Sequence, residues 1–393
     1  MSWPPLRYEQ VVWEPPRDRV GPTRAERSAV GRTYAAAVPA SIARRTPTVH
    51  PAVAAQAEEA VVEMRAFDAE TRGEVSALDA ILLRSESASS SQIENLTASA
   101  RAVAEAEVTH QGRGNAAVIA SNSEAMVAAI DLADRLDAAA ILRMQETLLR
   151  ETAPNLLGWR REAVWIGPGG STPLTAEFVP PQHPRIARAI DDLVAFMQRD
   201  DLPVLVQAAV AHAQFETIHP FADGNGRTGR AIVHAMLRSK GVTRHVTIPV
   251  SGGLLHDRAA YVSALDAYRA GEVDPIVTAF ALASLRAVEH GRTMWHRLDE
   301  VRAGWRRTVA ARSDSAVWRL LEALVAHPVV DAATAARLLG VAETNVHRHL
   351  RVLTESGVLV AQHHHRSRRT LWRAPEVLGV LDAYAADVGR RVR

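Results

Sequence analysis

Cysteine is absent from all 393 residues. That excludes disulfides, thiolate metal sites and a cysteine nucleophile. Aromatic residues make up only 5% of the chain, while apolar residues reach 47% and charged residues 23%. This balance excludes a disordered chain and suits a globular one with ample core. No run of about 18 apolar residues is present to span a bilayer. The opening MSWPPLRYEQ lacks the basic and apolar regions of a secretory signal. We therefore expect a soluble, cytoplasmic protein with no membrane partner.

β-Branched runs are short and alanine is abundant, which favours helix. The near-neutral net charge of +2 hides an asymmetry. Residues 301–393 hold 15 Arg and Lys against 8 Asp and Glu, a balance of +7, and the rest of the chain is acidic at −5. A basic terminal segment on an acidic body points to a module that meets an anionic polymer.

Residues 1–50 carry Pro pairs and little periodicity and read as irregular. Apolar spacing of three and four predicts a helix from Val53 to about Leu83, and further helices near 115–131 and 137–151. The Ser-rich stretch 84–100 reads as a break followed by a short helix at about 88–98. EAVWIG (162–167) and LTAEFV (174–179) read as two strands flanking the turn-forming PGGSTP. They make a hairpin candidate at about 162–179. Helices are expected near 184–199, 203–217, 226–240, 255–270 and 273–300. The Arg-rich stretch 301–314 reads as a linker.

The most informative stretch is HPFADGNGRTGR (219–230). It contains a base, an acid, a Gly-Asn-Gly turn and two arginines three apart, between two amphipathic helices. Gly224 and Gly226 free the backbone for positive φ. Successive N–H groups leading into a helix N-terminus then make an anion site suited to phosphate. Arg227 and Arg230 project from one helix face and can fork onto phosphate oxygens. Asp223 offers a hard oxygen of the kind Mg²⁺ takes when it is held mainly by nucleotide phosphates. His219 can accept a hydroxyl proton.

These residues resemble the signature of the Fic family, H-x-F-x-[D/E]-G-N-G-R-x-x-R. His219, Phe221, Asp223, Gly224, Asn225, Gly226, Arg227 and Arg230 match every specified position. The likeness extends over roughly residues 50–300. It implies a mainly α fold, a helical Fic core at 111–300 whose β-hairpin flap covers the site and pairs with a target chain. It also implies transfer of AMP from ATP to a Ser, Thr or Tyr hydroxyl of a target protein. By that resemblance His219 is the base and Asp223 holds Mg²⁺. Gly224, Asn225 and Gly226 cradle phosphate, and Arg227 and Arg230 steady the outer phosphates. Phe221 reads as a core anchor.

SSQIEN (90–95) resembles the family's inhibitory motif [S/T]-x-x-x-E-[G/N] at Ser90, Glu94 and Asn95. The resemblance implies that an N-terminal region, 1–110, carries the brake, with Glu94 competing with the γ-phosphate for Arg230. Glu94 could also support AMP removal.

Residues 315–393 read helix, helix, turn, helix and then a strand pair, which resembles a winged helix-turn-helix domain. Asp331 is the expected cap of its second helix and Gly340 the stop. Candidate DNA contacts are Thr344, Asn345, Arg348 and Arg351 on the third helix, with Arg366, Arg368 and Arg369 on the wing. Alternatives are a protein-docking role for this module, a nucleotide-sensing DNA-binding regulator, or a Fic enzyme that moves another phosphate-containing moiety. A homodimer is left open.

Overall fold

A computed structural model describes residues 3–14, 24–73, 75–110, 114–167, 172–364 and 369–389. The fold is mainly helical. Its first elements are β1 (Arg7–Val12), α1 (Arg24–Ala29), β2 (Thr33–Val38), α2 (Pro51–Glu70), α3 (Val75–Ile93), α4 (Ala100–Thr109), α5 (Asn115–Asp131) and α6 (Ala138–Leu149). Next come α7 (His183–Met197), α8 (Val204–Ile218), α9 (Asn225–Ser239), α10 (Val250–His256), α11 (Arg258–Ala270) and α12 (Asp274–Thr308). The last are α13 (Ala316–Ala326), β3 (Val329–Val330), α14 (Ala332–Leu339), α15 (Glu343–Glu355), β4 (Val360–His364), β5 (Arg369–Arg373) and α16 (Pro375–Val388). None of the described helices is long and apolar enough to cross a membrane.

The chain divides into two compact units. One holds Met1–Glu58, Val127–Lys240 and Ala259–Ala281, and the other holds Glu59–Met126, Gly241–Arg258 and Leu282–Arg393. The first contains the motif 219–230. Its centre is α8, whose side chains from Leu205 to Ile218 are all buried, packed against α7 and α9. A helix buried on every side must sit inside a bundle. The expected helices near 184–199, 203–217 and 226–240 correspond to α7, α8 and α9.

Two readings of this unit are corrected. Residues 1–50 were expected to be irregular, but β1 and β2 pair antiparallel from Arg7↔Val38 to Val12↔Thr33. Tyr34 and Ala36 point inward on alternate residues, into a cluster with Trp13, Ala29 and Val179. Alanines carry little strand preference and the partners lie far apart in sequence, so the pairing could not be read locally. The flap hairpin at 162–179 is reduced to one antiparallel bridge, Ile166↔Phe178. A short 3₁₀ turn occupies Pro173–Thr175 in place of strand. Pro173 and Pro180 remove donors at both ends of LTAEFV, and Val179 gives its carbonyl to the Ala37 N–H at 2.9 Å instead. The tip, 168–171, lies outside the described residues.

The second unit is built on α3, which contacts α10, α13 and α16. The Ser-rich stretch does not break this helix. Ser85 Oγ bonds back to the Ile81 carbonyl at 3.0 Å, and Asn122 donates to the Ser87 carbonyl at 2.9 Å. Small hydroxyls that satisfy themselves along the helix can be buried, as Ser85, Ser87, Ser89, Ser90 and Ser91 are. The helix expected at 88–98 is therefore the last turns of α3, which ends at Ile93 with Asn95 in the left-handed region at φ 62°. The stretch 301–314 is helical as far as Thr308. Leu298, Arg302, Trp305 and Val309 are buried at helical spacing, a stripe masked by the surrounding arginines.

In the same unit α13, α14 and α15 are followed by a three-stranded sheet in the order β3-β5-β4. Asp331 caps α14 by accepting from the Thr334 N–H at 2.8 Å, and Gly340 ends it at φ 67°. Ala104 of α4 packs with Val329, Leu371 and Leu378.

Asp68 fixes the loop ahead of α10. Its buried Oδ1 accepts the N–H groups of Arg244, His245 and Val246 at 2.9, 2.7 and 3.0 Å. Asp68→Ala leaves three donors without their acceptor, so unfolding free energy measured in urea should fall by about 2–4 kcal/mol. A fall below about 0.5 kcal/mol, the range of a surface change, would show that the loop does not depend on this carboxylate.

Candidate active site

α8 ends where its buried apolar face runs out. His219 caps it in the left-handed region at φ 48°, ψ 61°, with its N–H on the Phe215 carbonyl at 2.8 Å. That conformation is uncommon for a non-glycine residue, and its surroundings help to hold it. Here they centre on Arg160, which is almost wholly buried. Its Nε donates to the His219 carbonyl at 2.8 Å, Nη1 to the Glu162 carbonyl at 3.1 Å and Nη2 to the Pro181 carbonyl at 2.6 Å. The Arg160 N–H donates to the Pro220 carbonyl at 3.0 Å, and the Arg160 carbonyl meets His183 Nδ1 at 2.8 Å. Burial lowers the pKa of the Arg160 guanidinium to about 10, which still leaves it charged at neutral pH. Phe221, also buried, stacks on Trp159 with centroids 4.9 Å apart and planes at 15°.

The turn into α9 is closed from inside. Asn225 Oδ1 accepts the Phe221 N–H and its Nδ2 donates to the Phe221 carbonyl, both at 2.9 Å. Gly224 precedes the helix at φ 82°, and a Cβ there would stand 2.8 Å from Leu148 Cδ2. Both facts demand glycine. Gly229 lets α9 lie close to α8, since a Cβ would come within 3.0 Å of the Phe215 ring and 3.2 Å of His212. The N–H groups of the first turn of α9 have no partner within the helix.

The polar side chains gather at this end. Asp223 is about half exposed, with Oδ1 accepting the Gly224 N–H at 2.6 Å and Arg227 Nη2 at 3.3 Å. Arg227 and Arg230 are buried. His219 Nδ1 is buried and lies 3.5 Å from Oε2 of buried Glu216, while 19% of the His219 side chain remains open. Burial alone would raise the Glu216 carboxyl, but the adjacent His219 and His212 rings and the Arg230 guanidinium hold it below the usual carboxylate range. Burial lowers His212 to about 4, so it is neutral, with Nε2 at 2.7 Å from the Tyr261 hydroxyl.

An open cleft of about 830 Å³ adjoins the loop, lined in part by Trp159, Arg161, Glu162, His183 and Ala222. At its flap side the Ile166 N–H donates to the Phe178 carbonyl at 2.8 Å.

One loop and helix start thus bring together His219, Asp223, Gly224, Asn225, Gly226, Arg227 and Arg230. Ser90, Glu94 and Asn95 lie in the other unit. Ser90 is buried in α3, Glu94 follows its last turn, and Asn95 Oδ1 accepts from Arg258 Nη1 at 2.9 Å. Thr344, Asn345, Arg348 and Arg351 are exposed along α15. Arg369 is exposed and paired with Asp331 at 2.8 Å. Arg366 and Arg368 lie outside the described residues.

Sequence reasoning missed Arg160 and Glu216. Arg160 gave no signal, because its partners are carbonyls. Glu216 gave one, lying one turn before His219 on the same helix. Arg160→Lys keeps the charge but loses the planar fork. It should cost about 2–4 kcal/mol in urea unfolding, while Arg161→Lys at the exposed neighbour should stay within about 0.5 kcal/mol. Equal effects would show that the carbonyl clamp is not what holds the turn.

Residues 135–237 match the model of the Fic/DOC family. The chain is 30% identical over 158 residues to a probable protein adenylyltransferase of Aquifex aeolicus (strain VF5), covering 37% of this chain and 45% of that one. It is 28% identical over 152 residues to protein adenylyltransferase fic-1 of Caenorhabditis elegans, covering 38% and 27%. It thus spans less than half the length of these curated relatives. A crystal structure of a Fic family protein from Desulfovibrio desulfuricans G20 superposes with a TM-score of 0.50 at 21% identity, over 84% of this chain and 98% of that one, a likeness of fold. Residues 135–237, which hold the loop and helix start that carry the site, thus match the Fic/DOC family.

Proposed function

We propose that this chain transfers AMP from ATP to a Ser, Thr or Tyr hydroxyl of a protein. The observation that carries the proposal is a mostly buried imidazole, 19% of it open, in the same loop as an anion-binding helix start. His219 ends α8, and Asp223, Arg227 and Arg230 follow at the turn and first turns of α9. In the proposed step the hydroxyl oxygen attacks the α-phosphorus and its proton passes to His219. A P–O bond forms to the target, the α–β bridge breaks, and pyrophosphate leaves.

The backbone of Gly224, Asn225 and Gly226 is assigned to phosphate oxygens. The Asn225 side chain is already committed to Phe221, so its share is the N–H. Arg227 and Arg230 supply charge-assisted donors. Among the described residues no group of three or more His, Asp or Glu forms a metal cluster. One partly exposed carboxylate, Asp223, fits an ion that takes most of its ligands from phosphates and water, as Mg²⁺ does. Bound there, Mg²⁺ would neutralise charge on the α- and β-phosphates. The target's extended segment is assigned to the cleft and to the edge of the 162–166 run, where main-chain bonds can add a strand.

Glu94 is assigned the role of brake on the strength of its motif. In α-labelled ATP with Mg²⁺, Glu94→Gly should raise self-modification above the wild-type level. Adding His219→Ala to that variant should cut the rate about 10²–10⁴-fold without unfolding the protein. Near-normal transfer without His219 would reject its role, and label that enters from γ-labelled but not from α-labelled ATP would mean phosphate transfer instead.

A second activity is favoured by one observation. In α14–turn–α15, the polar residues Thr344, Asn345, Arg348 and Arg351 are exposed along the second helix, the position of a recognition helix in winged helix-turn-helix domains. We assign this face to duplex DNA. Binding by the full chain should weaken steeply with salt as counterions are released. Arg348→Ala with Arg351→Ala should abolish the gel shift at low salt. An unchanged shift would remove α15 from the interface.

A further inference from the structure

α8 carries three titratable side chains along one buried face, His212, Glu216 and His219, at i, i+4 and i+7. The motif accounts only for the last. A buried carboxylate is costly unless it has a partner. The partner in view is His219, whose Nδ1 is sealed from solvent and 3.5 Å from Glu216 Oε2. The open fraction of that ring therefore lies on its other edge, where Nε2 sits.

We infer that Glu216 is a positioning residue for His219, holding the imidazole with its proton on Nδ1 and leaving Nε2 as the acceptor. The inference deepens the adenylyltransferase reading and rests on it for its kinetic consequence. The nitrogen that carries the proton in a neutral imidazole is set by what the other nitrogen faces. A carboxylate accepts only, so the nitrogen turned toward it must be the N–H. The separation exceeds a closed hydrogen bond, and such bonds often tighten when substrate binds. The left-handed backbone of His219, held through its carbonyl by Arg160, keeps the ring at the end of α8.

The proton balance closes within the site. The target O–H gives its proton to Nε2 as oxygen bonds to phosphorus, and the resulting imidazolium is stabilised by the neighbouring carboxylate. The groups bearing on this pair are His212 on α8, neutral and bound to Tyr261, Arg230 from α9, Arg160 behind the His219 carbonyl, and Asp223 in the loop. Among the described residues, the charged group that faces Nδ1 is Glu216.

The tautomer can be read in the unaltered protein. In full-length chain labelled with ¹⁵N-histidine, the His219 ring signals are identified by their loss in His219→Ala. Above the ring's titration Nδ1 should be protonated and Nε2 bare. The reverse tautomer overturns the inference. Glu216→Gln keeps the shape and removes the charge, and its amide can donate as well as accept, so the share of the Nδ1–H tautomer should fall. An unchanged tautomer in Glu216→Gln also overturns the inference.

In the Glu94→Gly background, Glu216→Gln should lower kcat about tenfold and leave KM for ATP unchanged. A raised KM with kcat intact would give Glu216 a role in nucleotide binding and reject the one proposed. If Glu94→Gly transfers no AMP while the Nδ1–H tautomer is found, the transferase reading fails and the pairing stands. If AMP is transferred by an Nε2–H imidazole, the pairing fails alone.

Discussion

The reversal at the end of α8 is the constraint on which the site depends. His219 sits in a backbone conformation uncommon for a non-glycine residue, and the carbonyl freed by that turn is taken by the buried guanidinium of Arg160 at 2.8 Å. The same guanidinium holds carbonyls of Glu162 and Pro181. One side chain thus ties the motif loop to both ends of the segment that carries the reduced flap. The Asn225 clasp on Phe221 closes the loop from the other side. Between them the two side chains fix where His219 points and where the first N–H groups of α9 emerge.

This arrangement separates two kinds of buried polarity. Arg160, Asn225 and Asp68 have backbone partners and act as internal fasteners. Glu216, His212 and Arg230 have side-chain neighbours with charges of their own, in a region where charge is poorly screened. The first kind fixes geometry. The second kind makes the protonation of one group depend on another, which a site that moves a proton can use.

Much of the site was legible because its parts are contiguous. HPFADGNGR supplies the base, the acid, the turn and the first cation within one loop, and each residue type has a local reason to be there. α7, α8 and α9 were legible by apolar spacing. What stayed hidden was non-local. β1 and β2 are joined across about twenty residues and carry alanine where a strand usually shows branched side chains. Arg160 looked like one of two adjacent arginines until its carbonyl partners were in place. The Ser-rich part of α3 looked like a break because a hydroxyl that bonds its own helix cannot be told by sequence from one that competes with it. The flap misled in the opposite direction, since its two strand-like runs spend their backbone groups on Arg160 and β2, leaving a single bridge.

The account stands or falls on what reaches a target hydroxyl. The most direct measurement is peptide mapping by mass spectrometry after the full-length Glu94→Gly chain is incubated with ATP, Mg²⁺ and a cell extract. The account predicts Ser, Thr or Tyr peptides that carry AMP, and their disappearance when His219→Ala is added. Peptides carrying phosphate alone, or AMP adducts that persist without His219, would contradict it.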